Sequence, residues 1–431
     1  MTIKALLFKK RVIIKKVKIN YEESKMKKVV ILGAGFAGLH IFYKIRHLIG
    51  KKIDITVIDS RSHSLLKPSL PEVSFVGAPI SHSLIELKHT LESRGATFIQ
   101  DEVVNINAKN NLLTLKNGTD VNYDYIFITV GAVKDYDAIK GFREFGYSVC
   151  DDTQAQRLWK KVQEFEGGKI VTGAAKSTWG NRVKAPDLKA PCEGPIGEIM
   201  FMFDYYLTKE KSLKREKDYK INVFTPGEIF FEDVGDNPRN AVGKIMQERK
   251  INLHNNKILT EIGKDFIAFE DGTKMECDLA IIIPPYSAPK VLVDSNLGDK
   301  KGFIPTDTQM RHLDFKNVFA AGDITALAQP KLGHIAIIQG AIAAAVFMQE
   351  LGEDVTIPAY EPEIFCIMNM GGHDATLISS DVLYHGTKDK AFHSPLAKMM
   401  KWGFDNYLYY NKGHMPPDFA LEATDKLVKL L

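Results

Sequence analysis

Three of the four cysteines stand where a thiol can do redox chemistry. Cys150 and Cys192 each directly precede a predicted helix start, where backbone amides and the helix dipole lower a thiol pKa. Cys366 lies within a predicted strand. Accessible thiols of low pKa are what thiol–disulfide exchange requires. For each cysteine the alternative is a small buried hydrophobe, and this is the preferred interpretation for Cys277, which opens a buried strand.

The bulk composition limits the classes of protein to which the chain can belong. With 431 residues, 45% of them hydrophobic, it is long enough for about two or three domains. The net charge is +4, but residues 1–28 hold ten Lys and Arg against two Glu, so the remainder is slightly acidic and no nucleic-acid partner is predicted. Residues 1–25 lack the apolar core of an export signal and are either a basic membrane-surface leader or a start-site artefact before Met26. Four cysteines without such a signal favour a reducing compartment.

The elements that must position these thiols begin with a glycine-rich turn. An apolar strand from Lys28 runs into Gly33, Gly35 and Gly38, a helix follows to about residue 48, and a second strand ends at Asp59. The glycines permit a tight turn, close approach of a pyrophosphate and close helix packing, while the aspartate can accept ribose hydroxyls. This βαβ unit predicts a dinucleotide site.

Two later segments indicate which dinucleotide binds. A strand from Tyr123 ends in a small-residue turn at Ala132, and another from Asn317 ends at Asp323. With the glycine turn, they resemble the three signatures of flavoproteins with two dinucleotide-binding domains, so the resemblance implies FAD, with Asp323 at its ribityl chain. No metal site is predicted. The predicted cofactor-binding residues are Gly33, Gly35, Phe36, Ala37, Gly38, Asp59, Lys67, Val103, Thr129, Val130, Gly131, Gly322, Asp323, Lys331, Leu332 and Gly333.

The segment in which that family repeats the nucleotide fold for NAD(P)H looks dismantled. Lys169 to Thr172 predicts a strand, yet no Gly-x-Gly-x-x-Gly turn follows, and the paired strand ends in Thr225-Pro226 without a carboxylate. We therefore predict an α/β fold with two Rossmann-like domains, the second without a functional nicotinamide site, and a C-terminal α+β segment. The predicted boundaries are 26–150 and 300–357 for the FAD domain, 151–299 for the second domain and 358–431 for the last segment.

The C-terminal segment predicts contact with a membrane surface. A hairpin is expected around Gly371 and Gly372, and aromatics such as Trp402 mix with lysines on short helices beyond it. A cap packed on the domain, or a dimer surface, is the alternative. The longest near-apolar stretch, Ile335 to Met348, predicts a buried helix rather than a membrane span.

Four motifs make the chain similar to the sulfide:quinone oxidoreductases, specifically those of the archaeal type. From about Lys27 onward, the matching pieces are Tyr147 to Cys150, Cys192 to Pro195, Pro330 to Gly333, and Cys366. The resemblance implies that Cys192 and Cys366 form a redox couple bridged by sulfur on one face of the flavin. It also implies that Cys150 lies at the flavin edge, where family members can bond covalently to FAD, and that Lys331 lies near the flavin carbonyl and the quinone.

The resemblance further implies the reaction. Sulfide would be oxidised to polysulfide or sulfur through the cysteine pair and FAD, with electrons passed to a membrane quinone, by a protein peripheral on the cytoplasmic face of the cell membrane. The predicted catalytic residues are Cys192, Cys366, Cys150, Lys331 and Glu193, of which Glu193 either moves protons or merely begins a helix. The alternatives are a type II NADH:quinone oxidoreductase-like enzyme, a soluble flavoprotein sulfide dehydrogenase and a non-catalytic flavin-bound thiol redox sensor. The role of His334 and a homo-oligomeric state are left open.

Overall fold

The first of two parallel sheets contains the glycine turn. The computed structural model describes residues 26–417, 420 and 426, so the basic leader lies outside the described residues. The strands of this sheet are β1 (Lys28–Leu32), β2 (Asp54–Asp59), β5 (Thr97–Gln100), β9 (Tyr125–Ile128) and β20 (Val318–Ala320). They lie in the order β20-β9-β1-β2-β5. Helices α1 (Phe36–Ile49) and α9 (Gly333–Glu350) pack on one face of the sheet, and α9 contains the apolar stretch expected to form a buried helix.

The second parallel sheet also has five strands, but the connection from its first long strand to the following helix is different. Its strands are β11 (Gly146–Tyr147), β12 (Gly168–Ala174), β13 (Tyr219–Phe224), β14 (Asn252–His254) and β18 (Leu279–Ile283), in the order β11-β18-β12-β13-β14. Its helices are α5 (Asp152–Glu164), α6 (Gly194–Tyr205) and α7 (Asp236–Glu248). In a nucleotide-binding unit a short glycine turn joins the first strand to its helix. Here residues 175–193 form a long loop between β12 and α6.

Shorter elements surround the two sheets. The remaining strands before residue 300 are β3 (His63–Leu65), β4 (Leu84–Glu86), β6 (Val103–Asn107), β7 (Leu112–Leu115), β8 (Asp120–Asn122), β10 (Val133–Lys134), β15 (Leu259–Ile262), β16 (Phe266–Phe269), β17 (Lys274–Glu276) and β19 (Tyr286–Ser287). The short helices are α2 (Leu70–Phe75), α3 (Leu87–Glu92), α4 (Phe142–Phe145) and α8 (Lys290–Asp294). β10 pairs with β19 in an antiparallel ribbon that ties the two halves of the molecule together.

The C-terminal segment is a sheet covered by a helix. The expected hairpin is present as β21 (Ile364–Asn369) and β22 (Ala375–Ser380), and a third antiparallel strand, β23 (Asp389–His393), extends it. The sequence interpretation missed β23, whose residues are only half-buried. Within residues 391–417, the region expected to hold short helices contains one helix of 16 residues, α10 (Pro395–Tyr410). It leaves Met399 and Trp402 each 67% exposed.

One hydrophobic cluster contains residues from both parallel sheets and from the C-terminal sheet. It contains Ile128 from the first sheet, Ile170 and Ile281 from the second, and Ile364 and Met368 from the third. The predicted architecture of two Rossmann-like halves with a C-terminal α+β segment is thereby confirmed. Within the part of the chain described here, no helix combines the length and apolar character needed to cross a membrane.

Candidate active site

The glycine turn after β1 forms an open cradle. Gly33 adopts φ +98°, and a Cβ built there would lie 2.6 Å from the Thr129 carbonyl oxygen. A Cβ at Gly38 would lie 1.9 Å from the Gly33 oxygen, so α1 can approach the turn only with glycine at this position. At Gly35 a Cβ would meet nothing within 4 Å. The first and third glycines are thus required by the protein's own packing, whereas the second faces free space.

Polar side chains hold this turn in shape. Asp59 Oδ2 accepts a hydrogen bond of 2.8 Å from the Ala34 amide, and its Oδ1 accepts one of 2.9 Å from the Arg61 amide. Burial raises the pKa of Asp59, although these two amide bonds oppose the shift. Thr129 Oγ1 donates to the Gly33 oxygen at 2.7 Å.

Three further segments border the cradle. Gly131 and Gly322 have φ of +67° and +84°, and Asp323 lies with one carboxylate oxygen 3.8 Å from Lys67 Nζ. Leu332 and Gly333 begin α9, where a Cβ at Gly333 would stand 3.9 Å from the Phe36 ring. Of the other predicted cofactor-binding residues, Ala37 is buried in α1, Val130 is half-buried beside Gly131, and Val103 is buried at the start of β6.

The cradle fits a dinucleotide. No acidic residue lies in the first turn of α1 or α9, and no side chain caps either N-terminus. Helix N-terminal amides that no side chain caps are free to bind phosphate groups. The open face of Gly35 gives a pyrophosphate room to approach the backbone.

The 175–193 loop stands where the second nucleotide turn would be, and it is tightly held. Ser177 exchanges hydrogen bonds of 3.1 and 3.2 Å with the backbone of Tyr286. Glu232 Oε1 accepts from the amides of Lys189 and Ala190 at 2.5 and 2.8 Å. These bonds fix the end of the loop, and Cys192 follows it directly.

Cys192 and Cys366 come together although 174 positions separate them in the sequence. A Cβ built at Gly194 would lie 3.4 Å from Cys366 Sγ and 4.0 Å from Cys192 Sγ. Both thiols are free and line one apolar cavity, just large enough for about one water molecule. The loop supplies one thiol, and the middle of β21 supplies the other.

The expected lowering of the thiol pKa values is wrong for this structure. Burial raises the pKa of Cys192 well above its ordinary value, and the charges of Asp233 and Cys366 add to the shift. The amide of Gly194 acts in the predicted direction, but burial outweighs it. Burial likewise raises the pKa of Cys366 to about 12 and raises that of Cys150.

Two acidic groups beside the cysteines are almost completely buried. Glu193 is 1% exposed, and burial raises its pKa to about 8. Asp233, which the sequence interpretation missed, lines the cysteine cavity, and burial raises its pKa to about 6. Glu193 Oε1 and Asp233 Oδ1 have no hydrogen-bond partner among the described residues. Asp233 reaches the cysteine cavity only because the 225–235 loop folds against the cysteine loop. The residues next to Asp233 in the sequence therefore gave no sign of this position.

Cys150 lies in a separate cluster with Tyr286 and Lys134. The Tyr286 hydroxyl donates to Cys150 Sγ at 3.7 Å, and Lys134 Nζ lies 4.5 Å from the Tyr286 ring centre. The pKa of Lys134 is lowered to about 7, mainly by burial and also by the charge of Lys67, while Asp323 and Cys150 oppose the shift. The ribbon of β10 and β19 carries Lys134 and Tyr286, neither of which was predicted from the sequence.

Lys331 connects the cysteine loop to the start of α9. Its backbone amide donates to the Pro191 oxygen at 2.8 Å, and its buried Nζ donates to the Thr325 oxygen at 3.1 Å. The ammonium group also lies 4.4 Å from the Phe303 ring centre. Burial lowers its pKa to about 7, partly offset by Asp323.

His334, whose role the sequence left open, belongs to a surface ion cluster. Its Nε2 lies 3.5 Å from Glu363, which also pairs with Lys388, and its ring centre lies 5.4 Å from that of Phe365. Burial would raise the pKa of Glu363, but His334 and Lys388 together lower it to about 2. His334 is in the first turn of α9 and Phe365 is in β21, so the cluster joins these two elements.

The described residues contain no group of three or more His, Cys, Asp or Glu side chains arranged to hold a metal ion.

Known proteins resemble this chain in sequence. The family model of the pyridine nucleotide-disulphide oxidoreductases matches residues 27–174 and 212–350. The mitochondrial sulfide:quinone oxidoreductase of Mus musculus is 24% identical over 405 residues, which cover 89% of this chain and 85% of the relative. The sulfide-quinone reductase of Aquifex aeolicus is 23% identical and covers 94% of this chain and 96% of the relative.

The likeness extends to three dimensions. The X-ray structure of the sulfide:quinone oxidoreductase from Aquifex aeolicus matches with a TM-score of 0.82 at 20% identity, over 94% of this chain and 96% of that one. The resemblance identified from the sequence motifs is therefore confirmed.

Proposed function

Because the chain belongs to the pyridine nucleotide-disulphide oxidoreductase family, whose cofactor is FAD, we propose that it oxidises sulfide and passes the electrons to a quinone. The observation that carries this proposal is the pair Cys192 and Cys366 at one small cavity. The loop that brings Cys192 there occupies the place of a nicotinamide-binding turn. On this proposal, the two thiols take over the role of the electron donor that an NADH-dependent relative would bind.

We assign the cradle after β1 to FAD. Gly33, Gly35 and Gly38, with the amides at the start of α1, would hold the pyrophosphate. Asp59 would meet the adenosine ribose, and Asp323 the ribityl chain. Lys331 and the start of α9 would face the flavin carbonyl end, where a buried cation stabilises negative charge. When bound, FAD supplies the capacity to accept an electron pair and deliver it to a second acceptor.

The cysteine pair would react with sulfide through a sulfur bridge. With one or more sulfur atoms bridging Cys192 and Cys366, a hydrosulfide ion forms a bond to a bridge sulfur. The bond from that sulfur to one cysteine breaks at the same time, and the cysteine leaves as a thiolate. Overall, two hydrosulfide ions become one disulfide dianion, two protons and two electrons. The quinone takes up two electrons and two protons and becomes a quinol.

The acceptor side would face the membrane along α10. Phe404 and Tyr409 of this helix lie in one apolar cluster with Phe36 of the glycine turn. The exposed Met399 and Trp402 suit the headgroup region of a bilayer. We therefore propose a protein peripheral on the cytoplasmic face of the cell membrane, with the quinone reaching the flavin from the side of α10. Cys150 would lie at the flavin edge, where a covalent bond to FAD is the finer proposal.

An anaerobic titration tests this function. Sulfide should bleach the flavin absorbance of the FAD-loaded protein, and a soluble quinone analogue should restore it. NADH should leave the flavin oxidised, because the second sheet lacks both parts of a nicotinamide site. Rapid bleaching by NADH, with none by sulfide, would instead indicate a type II NADH:quinone oxidoreductase.

A further inference from the structure

The loop after β13, residues 225–235, contributes side chains to the cysteine cavity. In a nucleotide-binding unit the end of the second strand holds a ribose with a carboxylate. Here Thr225 stands at that point, and the chain continues through Phe231, a non-glycine residue with φ +58°. This turn directs residues 231–234 toward the cysteine loop, where Phe231, Asp233 and Val234 line the cavity of Cys192 and Cys366.

Asp233 is the polar side chain of that cavity. The other lining residues are the two cysteines, one glycine and five apolar residues. Asp233 is 6% exposed, and its Oδ1 has no hydrogen-bond partner within the described residues. A buried carboxylate oxygen without a partner costs folding free energy, so its presence beside two thiols requires an explanation.

The surroundings of Asp233 keep it able to change its protonation state. Burial raises its pKa to about 6, the Glu232 charge adds to the shift, and Arg239 opposes it. A pKa in this range lets the group exchange protons near neutral pH. The titratable and charged groups facing it are Cys192, Glu193, Glu232, Arg239, Cys366 and Tyr384.

We propose that Asp233 is the proton acceptor for the incoming sulfide, taking one proton from hydrogen sulfide in the cavity so that hydrosulfide is formed beside the two cysteine sulfurs. The inference rests on the proposed function. One S–H bond breaks, one O–H bond forms on the carboxylate, and no electrons change hands in this step. Because the cavity holds about one small molecule, the hydrosulfide is produced within reach of the sulfur that it attacks.

The test compares Asp233→Asn with the matched control Asp265→Asn. Both substitutions exchange one carboxylate for an amide, and Asp265 is exposed in the same half, between β15 and β16. The rate of flavin bleaching by sulfide is measured anaerobically in FAD-loaded protein from mildly acidic to alkaline pH. Equal flavin content and equal unfolding temperature show that each variant is folded.

For wild type, the rate should rise with pH through about 6, as the Asp233 carboxylate loses its proton. Asp233→Asn should lose this limb and bleach more slowly at mildly acidic pH, where dissolved sulfide is still protonated, by on the order of 10-fold or more, as expected for loss of a general base. At alkaline pH the deficit should shrink, because dissolved sulfide is then already deprotonated. Asp265→Asn should follow the wild type throughout.

The outcomes separate the two proposals. If sulfide bleaches wild-type flavin and Asp233→Asn keeps both the rate and the pH profile, the assignment of Asp233 is overturned and the proposed function stands. If the wild type itself is not bleached, the proposed function falls, and the assignment of Asp233 falls with it.

A second readout does not depend on turnover. The charge of Asp233 raises the pKa of Cys192, so its removal should allow the Cys192 thiol to ionise at lower pH. In the reduced protein, where both thiols are free, the pH at which the thiolate absorbance of the cysteine pair appears should therefore shift downward in Asp233→Asn. An unshifted titration would show that Asp233 does not act on the cysteine cavity.

Discussion

Burial decides the chemistry of the individual thiols. Cys192 and Cys150 both stand next to helix starts, yet their pKa values lie above the ordinary range because desolvation outweighs the amides and charges nearby. A thiol held protonated in an apolar cavity gains reactivity only when a partner takes its proton or a sulfur atom replaces it. The acidic neighbours Glu193 and Asp233 therefore matter as much to the site as the sulfurs do.

The first prediction concerns Cys366. Cys366→Ser should abolish bleaching of the flavin by sulfide while leaving FAD bound, because a serine hydroxyl cannot carry a sulfur bridge and Cys366 lies outside the glycine turns. Anaerobic absorbance measures both quantities. Cys277→Ala is the matched control, since it removes a thiol buried in another core cluster. Normal turnover of Cys366→Ser would contradict the proposed role of the pair.

The second prediction concerns the ionisation of Glu193. Its folded-state pKa of about 8 lies far above that of an unfolded glutamate, about 4.3, so the folded chain binds the proton more tightly. The Glu193 carboxyl therefore makes its full contribution to the free energy of unfolding below a pH of about 4.3, and this contribution is lost as the pH rises toward 8.

Glu193→Gln should therefore gain unfolding free energy relative to wild type between pH of about 4 and 8, by an amount on the order of 5 kcal/mol at most. Urea unfolding of FAD-saturated protein at both ends of this range measures the change. Glu228→Gln, at an exposed carboxyl in the same half, is the control. A Glu193→Gln difference that does not vary with pH would show that the carboxyl is ionised in the folded chain.

Among the elements, the glycine turn divides into structural and ligand-facing positions. Gly38→Ala should lower the unfolding temperature of the FAD-free protein, because its Cβ would overlap the Gly33 oxygen. Gly35→Ala should leave that temperature unchanged and still weaken FAD binding, since its Cβ enters the space assigned to the pyrophosphate. Thermal unfolding and a flavin titration of each variant measure both effects. Equal FAD affinity in Gly35→Ala and wild type would show that the pyrophosphate of FAD does not bind at this turn.

The sequence was sufficient for elements that depend on local patterns. Apolar runs and glycine spacing predict the strand, glycine turn and helix from Lys28 to Ile49. The apolar run around Cys366, followed by a turn at Gly371, predicts the strand that carries this cysteine. Motifs alone also located both thiols of the pair. β23 was missed because its half-buried residues show no clear alternation.

Features that depend on packing between distant segments were beyond the sequence. Asp233 reaches the cysteine cavity through a loop that only the folded chain places there, and nothing in its local motif marks it. The direction of the thiol pKa shifts was also wrong, because burial depth depends on the whole fold rather than on the helix start. Lys134 and Tyr286 meet only because β10 pairs with β19.

At the scale of the whole molecule, α10 should control attachment to membranes. Met399→Glu should reduce binding to lipid vesicles by about tenfold or more, because a buried methionine contributes about 1.5–3 kcal/mol to transfer from water. Vesicle co-sedimentation measures the binding, and bleaching of the flavin by sulfide should be unaffected. Val293→Glu, which changes an equally apolar residue 48% exposed on α8, is the control. Equal loss of binding in both variants would argue against α10 as the contact.

One hydrophobic cluster contains residues from both parallel sheets and from the C-terminal sheet, and this bears on how the protein moves. Domains joined by small polar interfaces rock against one another, whereas a large shared apolar interior prevents this. Here Ile128, Ile281 and Met368 belong to one such interior. If the proposed function holds, we therefore expect sulfide and its products to pass between side chains without a hinge motion of the two halves.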